Sequence, residues 1–467
     1  MLSLTAAHVA STIGAILYGD GNEPLRRVVI DSRAVQPGDL FVALRGARTD
    51  GHHHLRQAKD KGAAAALVLP DGQDRPVGLD YLVVPDTLKA LGALARFHVG
   101  RLQARVIGIT GSVGKTTAKD FLYQLLGGAQ QKVFAAPASY NSEIGLPLAI
   151  LAAPLDTKIL VLEYGVNAPG EMDLLVKIAR PHQAWITAIA AAHLEGLGDL
   201  QTVATEKAKL GAAVHEQHRV WLDGACWEKV RDAATNWQAD VVVLEPWIDA
   251  GCRVLKTEAG AMHIQHERWG EVRVPLCARH QVATALVAAR IAMEHGVGPE
   301  EIQQRLGQLQ APQGRLTVSE FEQVTVIDDA YNANPASMRA ALSMLGSWPK
   351  PGRRIAVLGS MKELGPAAEV LHRQVGCQIV ENGVDLLIGV GSGGAWIAAS
   401  AGDEVETRVV DDSSAAAAIL AGYLQPNDVL LLKASRSEAL EKVLTHLRDL
   451  RAQDSARASV EGGGVEA

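Results

Sequence analysis

The chain has 467 residues, of which 48% are hydrophobic and 21% are charged. A chain of this length exceeds what one hydrophobic core usually serves, so we expect roughly three domains. The net charge of −7 gives no electrostatic attraction for nucleic acid, which we exclude as a partner. The four cysteines are scattered, without the paired spacing of zinc sites, and this favours a reducing compartment.

The hydropathy pattern contains no membrane element. No apolar run approaches the roughly 20 residues that cross a bilayer. The first residues lack a basic segment followed by an apolar block, so we do not expect a signal peptide. We therefore expect a cytoplasmic protein without a membrane span.

Residues 1–102 are predicted to form a small α/β domain, in which short apolar strands alternate with short helices. Polar residues follow the strands at 31–33 and at 46–54, where α/β domains place ligands. The three adjacent histidines at 52–54 suggest either a metal site or a turn into a helix from Leu55. The turn is favoured, because neighbouring residues cannot all face one ion. The predicted strands are 27–30, 40–44, 65–69 and 81–84.

A phosphate-binding loop is predicted after an apolar strand beginning at Arg105. The strand breaks at Gly111 and Gly114 and leads into a helix, a geometry that points backbone N–H groups at phosphate. Lys115 would reach the terminal phosphates and Thr116 would hold Mg²⁺. The alternative is a glycine turn with an incidental lysine.

The spacing of this loop is tighter than the general pattern, which requires glycine five residues before Gly114, where this chain has Ile109.

Residues 103–312 are predicted to form a second domain with a parallel sheet covered by helices. The strand at 158–163 ends in Glu163, the position at which such folds keep a Mg²⁺ ligand, although a solvated strand end is the alternative. His193 is also expected at a strand terminus, after a strand at 184–189. A helix at 202–210 carries Lys207.

Residues 313–451 are predicted to form a third, Rossmann-like α/β domain with a doubly wound sheet. Gly359 and Gly365 flank a loop without the GxGxxG pattern, so a dinucleotide site is not supported. The polar segment at 452–467 is predicted to be a disordered tail.

Six motifs, in this order along the chain, resemble those of the Mur ligases. They are Gly-Ile-Thr-Gly-Ser-Val-Gly-Lys-Thr-Thr at 108–117, Leu-Glu-Tyr-Gly at 162–165, Ala-His-Leu-Glu-Gly at 192–196, Arg-His at 279–280, Gly-Arg at 314–315 and Asp-Asp-Ala-Tyr-Asn-Ala-Asn-Pro at 328–335. The resemblance spans almost the whole chain. The last motif, together with Val-Leu-Gly-Ser-Met-Lys-Glu-Leu-Gly at 357–365, favours the members that add D-alanyl-D-alanine to UDP-N-acetylmuramoyl-tripeptide.

The resemblance implies an ATP-dependent amide ligase of peptidoglycan precursor synthesis that works through an acyl phosphate, as a monomer, with two Mg²⁺ ions. Lys115, Glu163, His193, Lys207 and Arg315 would be the catalytic residues. Thr116, Glu163, His193 and Lys207, the last as a carbamate, would hold the metal. From the sequence alone Lys207 is an ordinary helix lysine.

The resemblance also implies binding residues for both kinds of substrate. Asp329 would take the ATP ribose. The nucleotide-binding residues would be Thr110, Gly111, Ser112, Val113, Gly114, Lys115, Thr116, Thr117, His280, Arg315, Asp329, Tyr331 and Asn332. Ser32, Arg33, Gly46, Asp50 and His52 would hold the uridine diphosphate end, and Asn141, Ser142 and Asn334 complete the substrate-binding set.

Several positions depart from the pattern that the resemblance leads us to expect. Val113 and Ser142 stand where asparagine is usual, and Ser360 replaces an aspartate. Lys209 stands where an acid commonly follows the carbamate lysine. After His280, where the resemblance leads us to expect two asparagines, this chain has Gln281 and Thr284. They put adenine recognition by this segment in question.

Two alternatives stay open at the level of the sequence. The first is another Mur-type ligase with a different amino-acid or peptide acceptor. The second, from a different functional class, is a nucleotide-gated binding protein that uses the phosphate loop without ligation. Glu163, His193 and Lys207 speak against the second alternative, because a protein that only binds nucleotide does not need these additional side chains.

Overall fold

The computed structural model describes residues 4–46, 49–71, 75–245, 247, 251–349 and 352–462, with side chains described up to residue 453. No helix in these ranges is long and apolar enough to cross a membrane.

The first part of the chain builds a five-stranded sheet in the order β2-β7-β6-β5-β4, parallel except for β2. The strand β6 is wholly buried, and side chains such as Phe41 and Leu55 pack in the core beside it. The elements are β1 (Leu4–Thr5), α1 (Ala6–Ile13), β2 (Ile16–Tyr18), β3 (Pro24–Leu25), β4 (Val28–Val29), β5 (Leu40–Val42), α2 (Leu55–Asp60), β6 (Ala65–Val68), β7 (Asp80–Val83) and α3 (Thr87–Leu102).

The middle of the chain builds a six-stranded sheet in the order β13-β12-β11-β8-β10-β9, in which all strands are parallel. Buried apolar strands on both sides of β8 explain why this sheet forms. The elements are β8 (Arg105–Thr110), α4 (Lys115–Leu125), β9 (Val133–Ala135), α5 (Gly145–Ala152), β10 (Ile159–Glu163), α6 (Glu171–Ile178), β11 (Gln183–Ile186), α7 (Leu194–Leu197), α8 (Leu200–Ala212), β12 (Arg219–Asp223), α9 (Gly224–Val230) and β13 (Asp240–Leu244).

A small antiparallel sheet and two helices follow. The strands are β14 (Cys252–Glu258), β15 (Ala261–His266) and β16 (Gly270–Val274), paired in that order. The helices are α10 (Arg279–Glu294) and α11 (Pro299–Gly307).

The last part of the chain builds a sheet in the order β17-β18-β22-β19-β20-β21, parallel except for β17. Ile327 and Ala356 face one hydrophobic core, while their neighbours Val326 and Val357 face another, so both faces are covered. The elements are β17 (Thr317–Phe321), β18 (Val324–Asp328), α12 (Pro335–Gly346), β19 (Arg354–Leu358), α13 (Ala368–Gly376), β20 (Leu386–Val390), α14 (Gly391–Ala398), β21 (Glu406–Val410), α15 (Ser413–Tyr423), β22 (Val429–Lys433) and α16 (Val443–Gly462).

The chain divides into two compact units. The first comprises Met1–Gly111, Leu122–Ala188 and Ala204–Leu244, and the second comprises Ser112–Phe121, Ile189–Val203 and Glu245–Ala467. The predicted mixed α/β class with parallel sheets is confirmed. The domain boundaries drawn at 102 and 312 stay a prediction.

Two local predictions need correction. Strand β11 ends at Ile186, so His193 does not lie at a strand terminus; it is the N-cap residue of α7. The predicted disorder from residue 452 also disagrees with the structure, in which α16 continues to Gly462. Alanine, arginine and glutamate are good helix formers, and they let α16 continue past Leu447, which is buried in the core. Residues 463–467 of that tail lie outside the described range.

Candidate functional site

The phosphate loop joins β8 to α4 as the sequence predicts. Ile109 is fully buried within the strand, so the position where the general pattern has glycine is part of the sheet. Gly111 has φ +149°, and a Cβ there would collide with the hydroxyl group of Thr187. Gly114 has φ +84°, a backbone conformation that favours glycine. These glycines allow the chain to turn sharply into the N-terminus of α4.

Within the second unit, the structure joins this loop to Arg315. The Ser112 hydroxyl donates a hydrogen bond to the carbonyl oxygen of Ala190 at 2.8 Å, which anchors the loop. Arg315 Nη2 donates to Thr116 Oγ1 at 2.9 Å, and its guanidinium carbon lies 4.3 Å from the centre of the Tyr331 ring. Three predicted nucleotide-binding residues, Thr116, Arg315 and Tyr331, are thus brought together. Arg436, which was not predicted, also lies over Tyr331, at 5.2 Å.

Asp329 follows the end of β18 and is paired with Lys433, a residue that the sequence analysis missed. Lys433 Nζ lies 2.5 Å from Asp329 Oδ2 and also donates to the Asn332 carbonyl oxygen at 3.1 Å. Burial raises the pKa of Asp329 even though the Lys433 ammonium acts in the opposite direction. The only sequence sign of this pair is that Lys433 ends an otherwise apolar strand.

His280 is an exposed residue in the first turn of α10. The surrounding protein nevertheless displaces enough water to lower the pKa of His280 to about 4, and Lys433 contributes further. The imidazole is therefore neutral near pH 7.

Gln281 and Thr284, the two departures that follow His280, both make hydrogen bonds within the protein. Gln281 is 2% exposed, and its amide nitrogen donates to the backbone carbonyl of Arg315 at 3.0 Å. The Thr284 hydroxyl donates back to the carbonyl oxygen of His280 at 2.9 Å.

The asparagines of the 328–335 motif also make local contacts. Asn334 is the N-cap of α12, where its side chain accepts a hydrogen bond from the amide of Ser337 at 2.9 Å. Asn332 Oδ1 accepts a hydrogen bond from the amide of Ala333 at 2.9 Å. These contacts fix the turn after β18.

His193 is held by Glu363, another residue that was not predicted. Nδ1 of His193 lies 2.5 Å from Glu363 Oε2, and the amide of Glu195 donates to the carbonyl oxygen of Glu363 at 3.2 Å. A hydrogen bond with His193 lowers the pKa of Glu363, and nearby Lys115 adds to this. Since Nδ1 is occupied, Nε2 is the ring nitrogen left to bind a metal.

The first unit contains the predicted Glu163 and Lys207. Glu163, at the end of β10, is 1% exposed and receives a hydrogen bond from Asn141 Nδ2 at 3.4 Å. The Lys207 residue, in α8, is completely buried. Charged carboxylates and amines at buried positions need compensating groups, and a cation bound at Glu163 or a modification of Lys207 would be one way to supply them. No three His, Cys, Asp or Glu side chains in the described ranges are grouped as a metal site, so the Mg²⁺ ligand set stays a prediction.

Three other departures have structural explanations. Lys209 bridges Asp173 and Glu206, each at 2.7 Å. Partial burial lowers the pKa of Lys209, but the hydrogen bonds and charges of the two carboxylates together outweigh it and raise this pKa. The Ser142 hydroxyl accepts from the amide of Gly145 at 3.2 Å before α5. Ser360 is buried, and its hydroxyl accepts from the amide of Gly393 at 3.3 Å.

The predicted uridine diphosphate residues in the first unit are largely engaged within the domain. Ser32 Oγ donates to Gln57 Oε1 at 2.6 Å. The predicted turn before α2 is confirmed as a 3₁₀ helix, Gly51–His54. The buried His52 uses Nδ1 on Asp50 and accepts from the Leu69 amide at Nε2, at 3.0 Å.

The charged residues of this cluster are also paired. Arg33 is an exposed cation paired with Asp31 at 2.8 Å. The Gly46 amide donates to the carbonyl oxygen of Thr49 at 2.9 Å, and residues 47 and 48 of this loop lie outside the described ranges.

A phosphate loop on a parallel sheet, followed along the chain by a doubly wound sheet with Asp329 just after strand β18, is typical of a nucleotide-binding α/β protein. The chain belongs to the Mur ligase family. Family models match in chain order, as "Mur ligase family, catalytic domain" at residues 24–98, "Mur ligase middle domain" at 109–292, and "Mur ligase, glutamate ligase domain" at 314–436.

Several relatives that are similar along nearly the whole chain are named UDP-N-acetylmuramoyl-tripeptide–D-alanyl-D-alanine ligase. The protein of Bacillus subtilis is 31% identical, covering 96% of this chain and 99% of its own, and that of Escherichia coli is 33% identical with the same coverage.

Among solved structures, MurF from Acinetobacter baumannii matches with a TM-score of 0.83 at 28% identity, covering 96% of this chain and 99% of its own. MurF from Thermotoga maritima in complex with ADP matches with a TM-score of 0.78 at 28% identity. The match covers 91% of this chain and 97% of the Thermotoga maritima chain. The family resemblance and the three-domain Mur ligase fold class are thereby confirmed.

Proposed function

We propose that this protein joins D-alanyl-D-alanine to UDP-N-acetylmuramoyl-tripeptide in an ATP-dependent reaction that releases ADP and phosphate. The observation that carries the proposal is the full-length similarity to relatives of that name, of which the Bacillus subtilis and Escherichia coli proteins are 31% and 33% identical. ATP use agrees with the relative that was solved with ADP.

The reaction has two stages. A carboxylate oxygen of the tripeptide attacks the γ-phosphorus of ATP, the bond to the bridging oxygen breaks, and an acyl phosphate and ADP result. The dipeptide amine then attacks the acyl carbon. The tetrahedral intermediate loses phosphate and a proton to give the amide. Both stages bring anions together, so cations must offset their repulsion.

Residues around the phosphate loop supply these cations. Lys115 starts α4, and Arg315 is fixed to Thr116 at 2.9 Å. We propose that both side chains contact the ATP phosphates, with the loop amides of 110–117 completing the cradle. Asp329 is proposed to accept hydrogen bonds from the ribose, held in place by Lys433.

Residues proposed to hold Mg²⁺ are Thr116, Glu163, His193 and, as a carbamate, Lys207. The fit is supported by the buried Glu163 carboxylate and by the engagement of His193 Nδ1 with Glu363, which leaves Nε2 for a metal. When bound, Mg²⁺ would neutralise charge on the transferring phosphoryl group.

We also propose that Arg33, as an exposed cation of its cluster, contacts the uridine diphosphate. Ser32, Asp50 and His52 would shape this loop through the hydrogen bonds described above. We propose that the protein acts in the cytoplasm as a monomer, which light scattering coupled to size-exclusion chromatography would check.

The function is tested by incubating the protein with UDP-N-acetylmuramoyl-tripeptide, ATP and either D-alanyl-D-alanine or single amino acids. We expect ADP release and an amide product with the dipeptide. Release with single amino acids alone would refute this acceptor and favour another Mur-type ligase. Nucleotide binding without substrate-dependent ADP formation would favour a binding protein.

The phosphate loop is tested by Lys115→Ala, which should abolish ADP formation while the fold remains intact. The matched control is Lys89→Ala, since Lys89 is an exposed lysine of α3, with its side chain 86% accessible. Unchanged turnover in Lys115→Ala would remove Lys115 from the proposed mechanism.

A further inference from the structure

The turn that carries Arg315 has an unusual backbone. Gly314 has φ +69°, and Leu316 has φ +56°. Leu316 is a branched residue in the left-handed region, a conformation that costs free energy and persists only when surrounding contacts impose it. The contacts around this turn therefore show what keeps Arg315 in place.

Hydrogen bonds from three directions fix the turn. The Arg315 amide donates to the Pro312 carbonyl at 3.1 Å, and the Tyr331 amide donates to the Gly314 carbonyl at 3.1 Å. The third bond comes from a side chain, Gln281 Nε2, which donates to the Arg315 carbonyl at 3.0 Å.

Gln281 is itself buried, and both polar atoms of its side chain face this turn and its surroundings. It lies in the first turn of α10, is 2% exposed, and its Oε1 is 3.7 Å from the Cys277 thiol. The same thiol lies 3.4 Å from the Leu316 carbonyl oxygen. A buried amide is costly unless its polar atoms are paired, and an apolar side chain of similar volume would fill the space equally well. Packing alone therefore does not explain a glutamine here.

The other end of Arg315 meets the phosphate loop. Its Nη2 donates to Thr116 Oγ1 at 2.9 Å, and the guanidinium lies 4.3 Å over Tyr331. Because the side chain starts from a strained turn, a shift of the Arg315 carbonyl would displace the guanidinium from Thr116. Small misplacements of this kind reduce catalysis strongly.

We propose that Gln281 is a positioning residue, which sets the Arg315 guanidinium against the phosphate loop by holding the Arg315 carbonyl group. The inference rests on the proposed function only in that Arg315 acts on ATP. It also gives Gln281 a role inside the protein, at a position where the resemblance leads us to expect an asparagine near the adenine.

The test is a double-mutant cycle in the full-length protein, with Gln281→Met and Arg315→Ala alone and combined. The readouts are kcat and KM for ATP and for the UDP-linked tripeptide, and the dissociation constant of ADP measured by calorimetry. Methionine keeps the length and volume of the side chain and removes the amide. The control is Gln303→Met, because Gln303 Nε2 makes the same kind of bond, to the Glu271 carbonyl at 2.8 Å.

We expect Gln281→Met to lower kcat/KM for ATP about tenfold, as for loss of a hydrogen bond that leaves a buried group unpaired. KM for the UDP-linked tripeptide should stay constant, as should all constants in Gln303→Met. In the Arg315→Ala background, Gln281→Met should change kcat/KM for ATP less than about twofold, since its effect passes through Arg315.

The proposal would be overturned if the two substitutions lower kcat/KM for ATP by independent, multiplicative factors. It would also be overturned if the kinetic constants of Gln281→Met equal those of Gln303→Met. If Gln281→Met does not fold, Gln281→Asn enters the same cycle, because asparagine keeps the amide but is too short to reach the carbonyl. An Arg315→Ala variant with wild-type constants would overturn the proposal through its premise about Arg315. Failure of the ligase function itself would appear separately, as a wild-type protein that binds ADP but forms no amide.

Discussion

Lys433→Met should destabilise the sheet that contains β22 far more than the substitution of an exposed lysine would. Lys433 is 1% exposed, and its ammonium binds both Asp329 Oδ2, at 2.5 Å, and the Asn332 carbonyl, at 3.1 Å. The substitution leaves the Asp329 carboxylate, whose side chain is 13% exposed, without this cation. Breaking a buried ion pair by removing one partner costs about 3–5 kcal/mol.

That cost converts into a measurable change of melting temperature. At about 2–4 °C per kcal/mol for a unit of 150–250 residues, the transition of this part of the protein should fall by about 6–20 °C. Differential scanning calorimetry gives the temperature, and hydrogen exchange of the β22 amides assigns the transition. Lys442→Met, at a nearby exposed lysine, is the control and should shift it by less than about 2 °C.

The double variant Lys433→Met/Asp329→Asn separates the two parts of this reasoning. Because the double variant has neither charge of the Lys433–Asp329 pair, it should regain much of the lost stability. If Lys433→Met melts like the control, or if the double variant is less stable than Lys433→Met, the buried ion pair does not have the proposed energetic role.

Three further predictions concern other parts of the chain. ATP turnover by Lys207→Ala should be partly restored by short-chain carboxylic acids if the lysine carries a carbamate; absence of rescue with unchanged ATP affinity would count against it. Iodoacetamide at pH 8 should label the exposed Cys377 first, because other cysteines such as Cys277 are buried, and burial raises the pKa of the Cys277 thiol to about 12. Mass spectrometry showing early labelling of Cys277 in the folded protein would contradict this. For Asp50, partial burial raises the pKa, but hydrogen bonds from His52 and Arg45 lower it to about 2, below the value near 4 of an unfolded chain. Its contribution to stability should thus be present at pH 7 and disappear as the pH falls from about 4 to about 2, so thermal unfolding of Asp50→Asn should converge with wild type there. A difference that is constant with pH would refute it.

Local features of the fold could be predicted because they depend on neighbouring residues. The strands β6, β7 and β10 lie within one residue of the bounds predicted for them, which were 65–69, 81–84 and 158–163. The turn between β8 and α4 is set by Gly111 and Gly114, whose positive φ angles other residues rarely adopt. Each of these features is determined by residues that lie within a few positions of one another in the sequence.

The supports of the site could not be predicted, because they join distant parts of the chain. Gln281 and Arg315 are 34 residues apart, Asp329 and Lys433 are 104 apart, and His193 and Glu363 are 170 apart. Each pair depends on the order of strands or on the packing of loops, which hydrophobic periodicity does not encode. The motifs identified residues such as Arg315 and Asp329, but not the side chains that hold them.

The central position of β22 also bears on how the protein is made. β22 pairs with β18 on one side and β19 on the other, although both of these strands precede it in the chain by many residues. During synthesis, β18 and β19 therefore leave the ribosome with open edges that can pair with other chains. A chain interrupted before residue 429 would lose the centre of the sheet together with Lys433. We expect such fragments to aggregate or be degraded instead of persisting as partly active proteins.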